Sequence, residues 1–256
     1  MSDTARTTDY DQVAAEFDRR YALYGYHGTR DAVLNFVSGA RDVLEVGCGT
    51  GHWLQEIRSA DSPALHDNRR LVGLEPSMPM LEHASGLRVR GRAEQLPFPD
   101  ASFDRIFCVN ALHHFTDRFA FFSEARRLLR PGGGVMTIGK DPHAERDGWW
   151  VYDYFPETRT IDRARFTPVR MLRADVVRAG FAAAESFEAD HIEVVQPAAE
   201  AFANRIVDRT FTSQLTVLTD DEFGAGVQRI RTADADAGGE LQLVADFHLF
   251  ATIGWA

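Results

Sequence analysis

Apolar positions recur with helical spacing near the start of this chain and with strand-like spacing further on. In residues 9–24, Val13, Phe17 and Tyr21 fall four apart, on one helical face. A second helix is predicted from Thr29, as N-cap, to Val37, with Gly39 just past its end. From residue 42 short apolar runs alternate with helical ones. Strands are predicted at 42–46, 71–74, 87–89, 104–109 and 135–138. Helices fall between them at 52–59 and 77–84, and from Thr116 as cap to Leu129, where Pro131-Gly-Gly-Gly134 stops the last one. This alternation predicts an α/β fold, a mostly parallel sheet with helices on both faces.

Past residue 140 the alternation lapses. Residues 140–166 are aromatic and charged without a period. Thr167-Pro168 opens a helix that ends near Gly180, and 184–195 reads as a strand. Residues 198–232 read as two or three helices, and 241–255 as a long final strand. A hairpin needs only about 2–5 connecting residues. The stretch between Val195 and Leu241 is far longer, so it is expected to form a helical cap, with Phe211, Gln214 and Leu215 lining a substrate site.

The 256 residues, 45% hydrophobic and 26% charged, suit one large globular domain. A net charge of −10 repels phosphate backbones, which argues against nucleic acid as partner. No apolar run is long enough to span a bilayer and no apolar leader opens the chain, so a cytoplasmic protein without membrane insertion is expected. Two cysteines, Cys48 and Cys108, are too few for a disulfide framework, and no Cys/His spacing suggests a metal site.

Four motifs carry chemistry. Glu45-Val-Gly47-Cys48-Gly49-Thr-Gly51 follows a strand and opens a helix, the setting of a nucleotide-binding loop. Its G-x-G-x-G spacing is neither the dinucleotide fingerprint nor a P-loop, so a cofactor without pyrophosphate is the natural inference. The second strand ends in Glu75, placed to accept hydrogen bonds from a ribose diol. Gly91-Arg92-Ala93-Glu94-Gln95-Leu96-Pro97-Phe98 precedes the fourth strand, and Asn110-Ala-Leu-His113-His114-Phe115 follows it.

In these four motifs and their order, residues 42–142 resemble the class I S-adenosylmethionine-dependent methyltransferases. The chain is similar to the small-molecule branch that includes ubiquinone and menaquinone C-methyltransferases. The resemblance implies a Rossmann-like seven-stranded sheet with an antiparallel last strand. It implies S-adenosylmethionine as cofactor and S-adenosylhomocysteine as product. Glu45, Gly47, Cys48 and Gly49 would hold the methionine end, and Glu75 the ribose. Pro76 and Met80 would lie near the adenine, Ala93 would offer backbone contacts with Glu94 beside it, and Asn110 would reach the methionine moiety. Arg92 departs from the family, where many relatives carry Asp or Asn. Residues 1–40 are expected to form lid helices, with Tyr21 over the cofactor and Tyr24 toward the acceptor. The core is expected at 41–196 and 239–256, and the cap at 197–238.

Methyl transfer is an in-line displacement in which alignment can supply roughly 7–11 kcal/mol. A base is needed only if the nucleophile must lose a proton, and His113 and His114 are the candidates. Trp149, Trp150, Tyr152, Tyr154 and Phe155 are candidate walls for an apolar or aromatic small-molecule acceptor, with π-faces to steady the sulfonium. Asp141 and His143 are candidate polar contacts. Two other readings stand beside this one. An RNA methyltransferase would need a basic face, for which Arg126, Arg127 and Arg130 are the candidates. A non-methylating cyclase or binding protein would keep the cofactor alone.

Overall fold

The computed structural model describes residue 11 and residues 18–61, 68–84 and 86–256. Val13 and Phe17 of the predicted first helix lie outside the described residues. Two N-terminal helices, α1 (Arg19–Tyr24) and α2 (His27–Phe36), precede β1 (Asp42–Val46), α3 (His52–Ala60), β2 (Arg70–Glu75), α4 (Met78–His83) and β3 (Leu87–Arg90). Then come β4 (Phe103–Val109), a 3₁₀ turn (Leu112–His114), α5 (Arg118–Leu128) and β5 (Leu129–Gly139).

β1 lies parallel between β2 and β4, β3 flanks β2, and β5 flanks β4. β1 is buried on both faces, which is why it reads as a continuous apolar run. Its alternate residues enter two cores. Val43 packs with Val33 and Phe36 of α2 and Ile57 of α3, whereas Leu44 and Val46 pack with Phe121 and Phe122 of α5.

The second half supplies β6 (Gly148–Trp149), α6 (Trp150–Tyr154), α7 (Glu157–Arg165), α8 (Val169–Arg178) and β7 (Ala184–Pro197). Helices α9 (Ala198–Ala203), α10 (Ser213–Thr216) and α11 (Asp220–Asp236) lead to β8 (Gln242–Trp255). β8 runs antiparallel to β5, and β7 pairs antiparallel along its other edge. The sheet has eight strands rather than seven, because the two-residue β6 continues the β5 edge of β8. In the cap region α9 packs on β7, α10 on α7 and α11 on α6. Gly226 is required on α11, since a Cβ there would stand 2.1 Å from the Phe155 ring.

Local chemistry moves two predicted caps. Thr29 is buried inside α2, not at its start, and its amide donates to Asp190 Oδ2 at 2.8 Å. A carboxylate from β7 thus satisfies a first-turn N–H that a local side chain would otherwise cap. Asp117, not Thr116, caps α5, accepting from the Ala120 amide at 3.0 Å. Thr116 is engaged elsewhere, by Glu94. The Pro-Gly-Gly-Gly segment is part of β5, which begins at Leu129. No helix among the described residues is long and apolar enough to cross a membrane.

Candidate active site

The turn after β1 is left-handed at Gly47 (φ 74°) and Gly49 (φ 53°), which L side chains adopt only at a cost. It opens a cavity of about 750 Å³. All eleven residues expected at the cofactor line it: Tyr21, Glu45, Gly47, Cys48, Gly49, Glu75, Pro76, Met80, Ala93, Glu94 and Asn110. Arg20, Trp53, Arg92, His114 and Phe115 also line it.

Three carboxylates face this space, and each is positioned differently. Glu45 is fully buried, and its Oε2 has no hydrogen-bond partner. Burial, then the charge of Glu75, pushes its carboxyl well above the usual range. Glu75 accepts from the Gly49 amide at 3.2 Å and the Ser77 amide at 3.1 Å, tying the glycine loop to the end of β2. Glu94 turns one oxygen to the Thr116 amide and hydroxyl, both at 2.7 Å. That oxygen holds the turn before α5, so Glu94 is partly committed to structure.

A second cavity of about 450 Å³ has Arg20 and Asn110 in common with the first, since both residues line both. Asn110 sits just past β4 with φ 50°, its amide held by the Ile138 carbonyl at 2.8 Å. Of the expected acceptor residues, Tyr24, Trp149 and Gln214 reach this space, together with His113. Tyr26, Lys140, Phe166, Phe247 and Leu249 join them.

The remaining aromatic candidates do not line either cavity, and their packing explains why. Trp150 and Phe155 stack into the core beneath α11, where Phe155 meets Phe223. Tyr154 is partly buried against the same core. Phe211 packs edge-on against Tyr24, behind the wall. Tyr152 gives its hydroxyl to the buried Asp162 at 2.8 Å. The π-faces expected to steady a sulfonium hold the protein's own ammonium instead. Lys140 Nζ lies 3.6 Å from the Trp149 ring centroid, 4.2 Å from Phe247 and 5.0 Å from Tyr152.

The histidines divide between the cavities, His114 facing the first and His113 the second. His113 stacks on Phe166 at 3.9 Å. The Arg165 guanidinium donates to His114 Nδ1 at 3.2 Å, so that nitrogen is the acceptor. Burial first, and then Arg165 and Arg20, push both imidazoles well below their ordinary range, with His114 adding to the effect on His113. Both are uncharged near neutrality, and an imidazolium beside Arg165 is disfavoured. Asp141 and His143 are structural: Asp141 accepts the Val169 amide at 2.9 Å, and His143 Nε2 bonds the Phe166 carbonyl.

The family described as "Methyltransferase domain" matches residues 44–137, the segment that builds the first cavity. A phthiotriol/phenolphthiotriol dimycocerosates methyltransferase of Mycobacterium leprae is 32% identical over 194 residues, 75% of this chain and 68% of that one. The chain belongs to the class I S-adenosylmethionine-dependent methyltransferases. A fatty-acid O-methyltransferase of Mycolicibacterium smegmatis is 34% identical over 132 residues, but the match spans only 51% of this chain and 47% of that relative. The solved YcgJ protein of Bacillus subtilis shares the fold, with a TM-score of 0.59 at 18% identity over 90% of this chain and 98% of that one.

The first cavity suits the methyltransferase cofactor, S-adenosylmethionine. Its donor set is rich in carboxylate, including the unpartnered Glu45 oxygen, as a ligand with ammonium and sulfonium charges requires. The three arginines proposed for an RNA face are absorbed locally. Arg127 pairs with Glu124 and Asp100, Arg130 with Asp42 and Asp104, and Arg126 bonds the Gly180 carbonyl.

Arg20, Lys140, Phe247 and Leu249 were missed in the sequence. Lys140 had a usable signal, since it directly follows β5 as Asn110 follows β4. The other three carry none that spacing reveals. Spacing also hides a cluster outside both cavities, where strand pairing stacks His191 on His248 at 4.1 Å beside Glu188.

Proposed function

We propose that this chain methylates a small-molecule acceptor seated in the second cavity, using S-adenosylmethionine held in the first. The observation that carries this reading is that the two cavities share Asn110 and Arg20 in their linings. S-adenosylmethionine supplies an activated methyl on a sulfonium, and the protein aligns the two partners and excludes water. In this proposal Glu45, Gly47, Cys48 and Gly49 border the methionine end, and Glu75 binds the ribose hydroxyls. Pro76, Met80, Ala93 and Glu94 border the adenine. Tyr21 covers the cofactor, and Asn110 orients the methionine moiety. Tyr24, Trp149 and Gln214 hold the acceptor, and His113 and His114 act as uncharged hydrogen-bonding groups.

The acceptor has an apolar or aromatic body, because Tyr26, Phe166, Phe247 and Leu249 supply much of the wall. One relative is named for a fatty acid, whose body is of that kind. The chain acts as one domain in the cytoplasm, with residues 1–40 as lid and 197–238 as cap. Its two cysteines, both unpaired and buried, accord with a reducing compartment. Titration calorimetry tests the cofactor half, with micromolar affinity expected, about −8 kcal/mol. Absence of heat with both S-adenosylmethionine and S-adenosylhomocysteine overturns it. Release of S-adenosylhomocysteine with a metabolite panel tests the transfer.

A further inference from the structure

We propose that the acceptor is a carboxylic acid, recognised by Lys140 in the second cavity and methylated on its carboxylate oxygen. This rests on the reading of the second cavity as the acceptor site. Among the described residues that line this cavity, two are cationic, Arg20 and Lys140, and none is acidic. The counter-ion of Lys140, Asp147, stands behind this wall rather than in it. Lys140 is only 8% exposed. On one side Asp147 fixes it at 3.5 Å, and on others the Trp149 and Phe247 rings cage it. Asp147 does not line the cavity, and its Oδ1 is taken by the His248 amide. Three further polar atoms belong to residues of this wall: His113 Nε2, buried without a hydrogen-bond partner, Trp149 Nε1, and Tyr24 Oη, which lies against the indole of Trp149. Indole N–H and phenol O–H donate, as does one nitrogen of an uncharged imidazole, so the polar groups of these wall residues include donors. A buried anion requires such a set, with a cation at its centre.

The reaction class follows from what the site lacks. An alcohol must lose a proton on transfer, and a proton taken by His114 would sit against the Arg165 guanidinium that already donates to its Nδ1 at 3.2 Å. A carboxylate has none to lose. Its oxygen forms the new bond to the methyl carbon, the carbon–sulfur bond breaks, and that electron pair stays on sulfur. Carboxylate and sulfonium become a neutral ester and a neutral thioether, with no proton left over. The one remaining candidate base is Lys140 itself. Burial, countered by Asp147 and Asp162 and assisted by Arg159, lowers its ammonium to about 8. Near pH 7 it is mostly charged, which makes it an anion receptor.

The test is a matched panel of aromatic and alkanoic acids, each beside its alcohol and its amine, with methyl-labelled S-adenosylmethionine. The expected product is alkali-labile and releases labelled methanol, and it forms from acids alone. Lys140→Met should raise the acid KM at least about 10-fold, while S-adenosylmethionine affinity by calorimetry stays within about 2-fold; Lys140→Arg should recover part of the loss. Transfer to alcohols or amines with the acids inert overturns the proposal. So does an unchanged KM in a folded Lys140→Met protein. As a second measurement, the acids should bind the S-adenosylhomocysteine-loaded wild type. A panel in which none binds, or in which the alcohols bind equally well, also overturns it. Absence of S-adenosylmethionine binding would instead defeat the underlying reading of the first cavity.

Discussion

The two cavities share Asn110 and Arg20 in their linings, yet they are built in opposite ways. The first carries three carboxyl groups beside Arg20 and Arg92 and comes mostly from residues 45–115, one continuous stretch at the carboxyl ends of neighbouring parallel strands. The second carries two cations and, among the described residues, no acid, and it draws on α1, the segments that follow β4, β5 and α7, on β6 and β8, and on the 198–238 connection. The difference teaches where information sits. A site made by one run of chain is specified by local turns, whereas a site made by distant segments is specified by packing.

The largest effect that could break this contrast is expected at the glycine loop. Gly49→Val forces a β-branched residue into φ 53° and should abolish calorimetric heat with S-adenosylmethionine while the circular dichroism spectrum persists. Retained affinity would mean the loop is only a turn. Glu75→Ala should weaken S-adenosylmethionine binding by roughly 1.5–3 kcal/mol, the range for a hydrogen bond to a charged group. Wild-type affinity in that variant would reassign the ribose contact.

A third, pH-dependent effect separates the cavities. Lys140 is charged below its value of about 8 and loses that charge above it. A carboxylic acid stays ionised throughout. The acceptor KM should therefore be lowest below pH 8 and climb up to about 10-fold per pH unit above it, as charged Lys140 is lost. Turnover at saturating acceptor should not rise over the same window. A rise through pH 8 would make Lys140 a base rather than a receptor.

His113→Ala and His114→Ala come next. A working base contributes about 10²–10⁴-fold, and these buried, uncharged histidines should each cost less than about 10-fold in turnover. Steady-state kinetics on either variant sharpens the assignment, and a loss of 10²-fold or more restores the base. The smallest effect is on stability alone. Tyr152→Phe removes the hydrogen bond to Asp162 and should cost about 1–2 kcal/mol in denaturant unfolding, with S-adenosylmethionine affinity unchanged.

Legibility in the sequence followed the same divide. The strands from β1 to β5 and the eleven cofactor-side residues were readable because glycines, apolar runs and strand-end acids lie close together in the chain. The acceptor side was not. Trp149 and Trp150 are neighbours with the same side chain, yet one reaches the cavity and the other the core, since β6 ends and α6 begins between them. The second cavity's two cations were equally hidden, because Arg20 and Lys140 are 120 residues apart in the chain. The cap at Thr29 was misplaced for a related reason: its partner, Asp190, belongs to β7.

β8 has a consequence for the order in which the molecule assembles. It pairs Ile138 with Ala251 and Val195 with Val244, and it brings Phe247 and Leu249 to the second cavity. Contacts of such sequence separation form slowly, because a long loop must close before they repay its entropy. The glycine loop, β2 and β4 need no such closure. During synthesis the nucleoside-binding half has its partners at hand long before β8 emerges, and the acid-binding half waits for it. Val43 and Phe107 nevertheless share a core with Leu249 and Ile253, so β8 completes the packing under both cavities, and the donor stabilises that finished sheet by mass action.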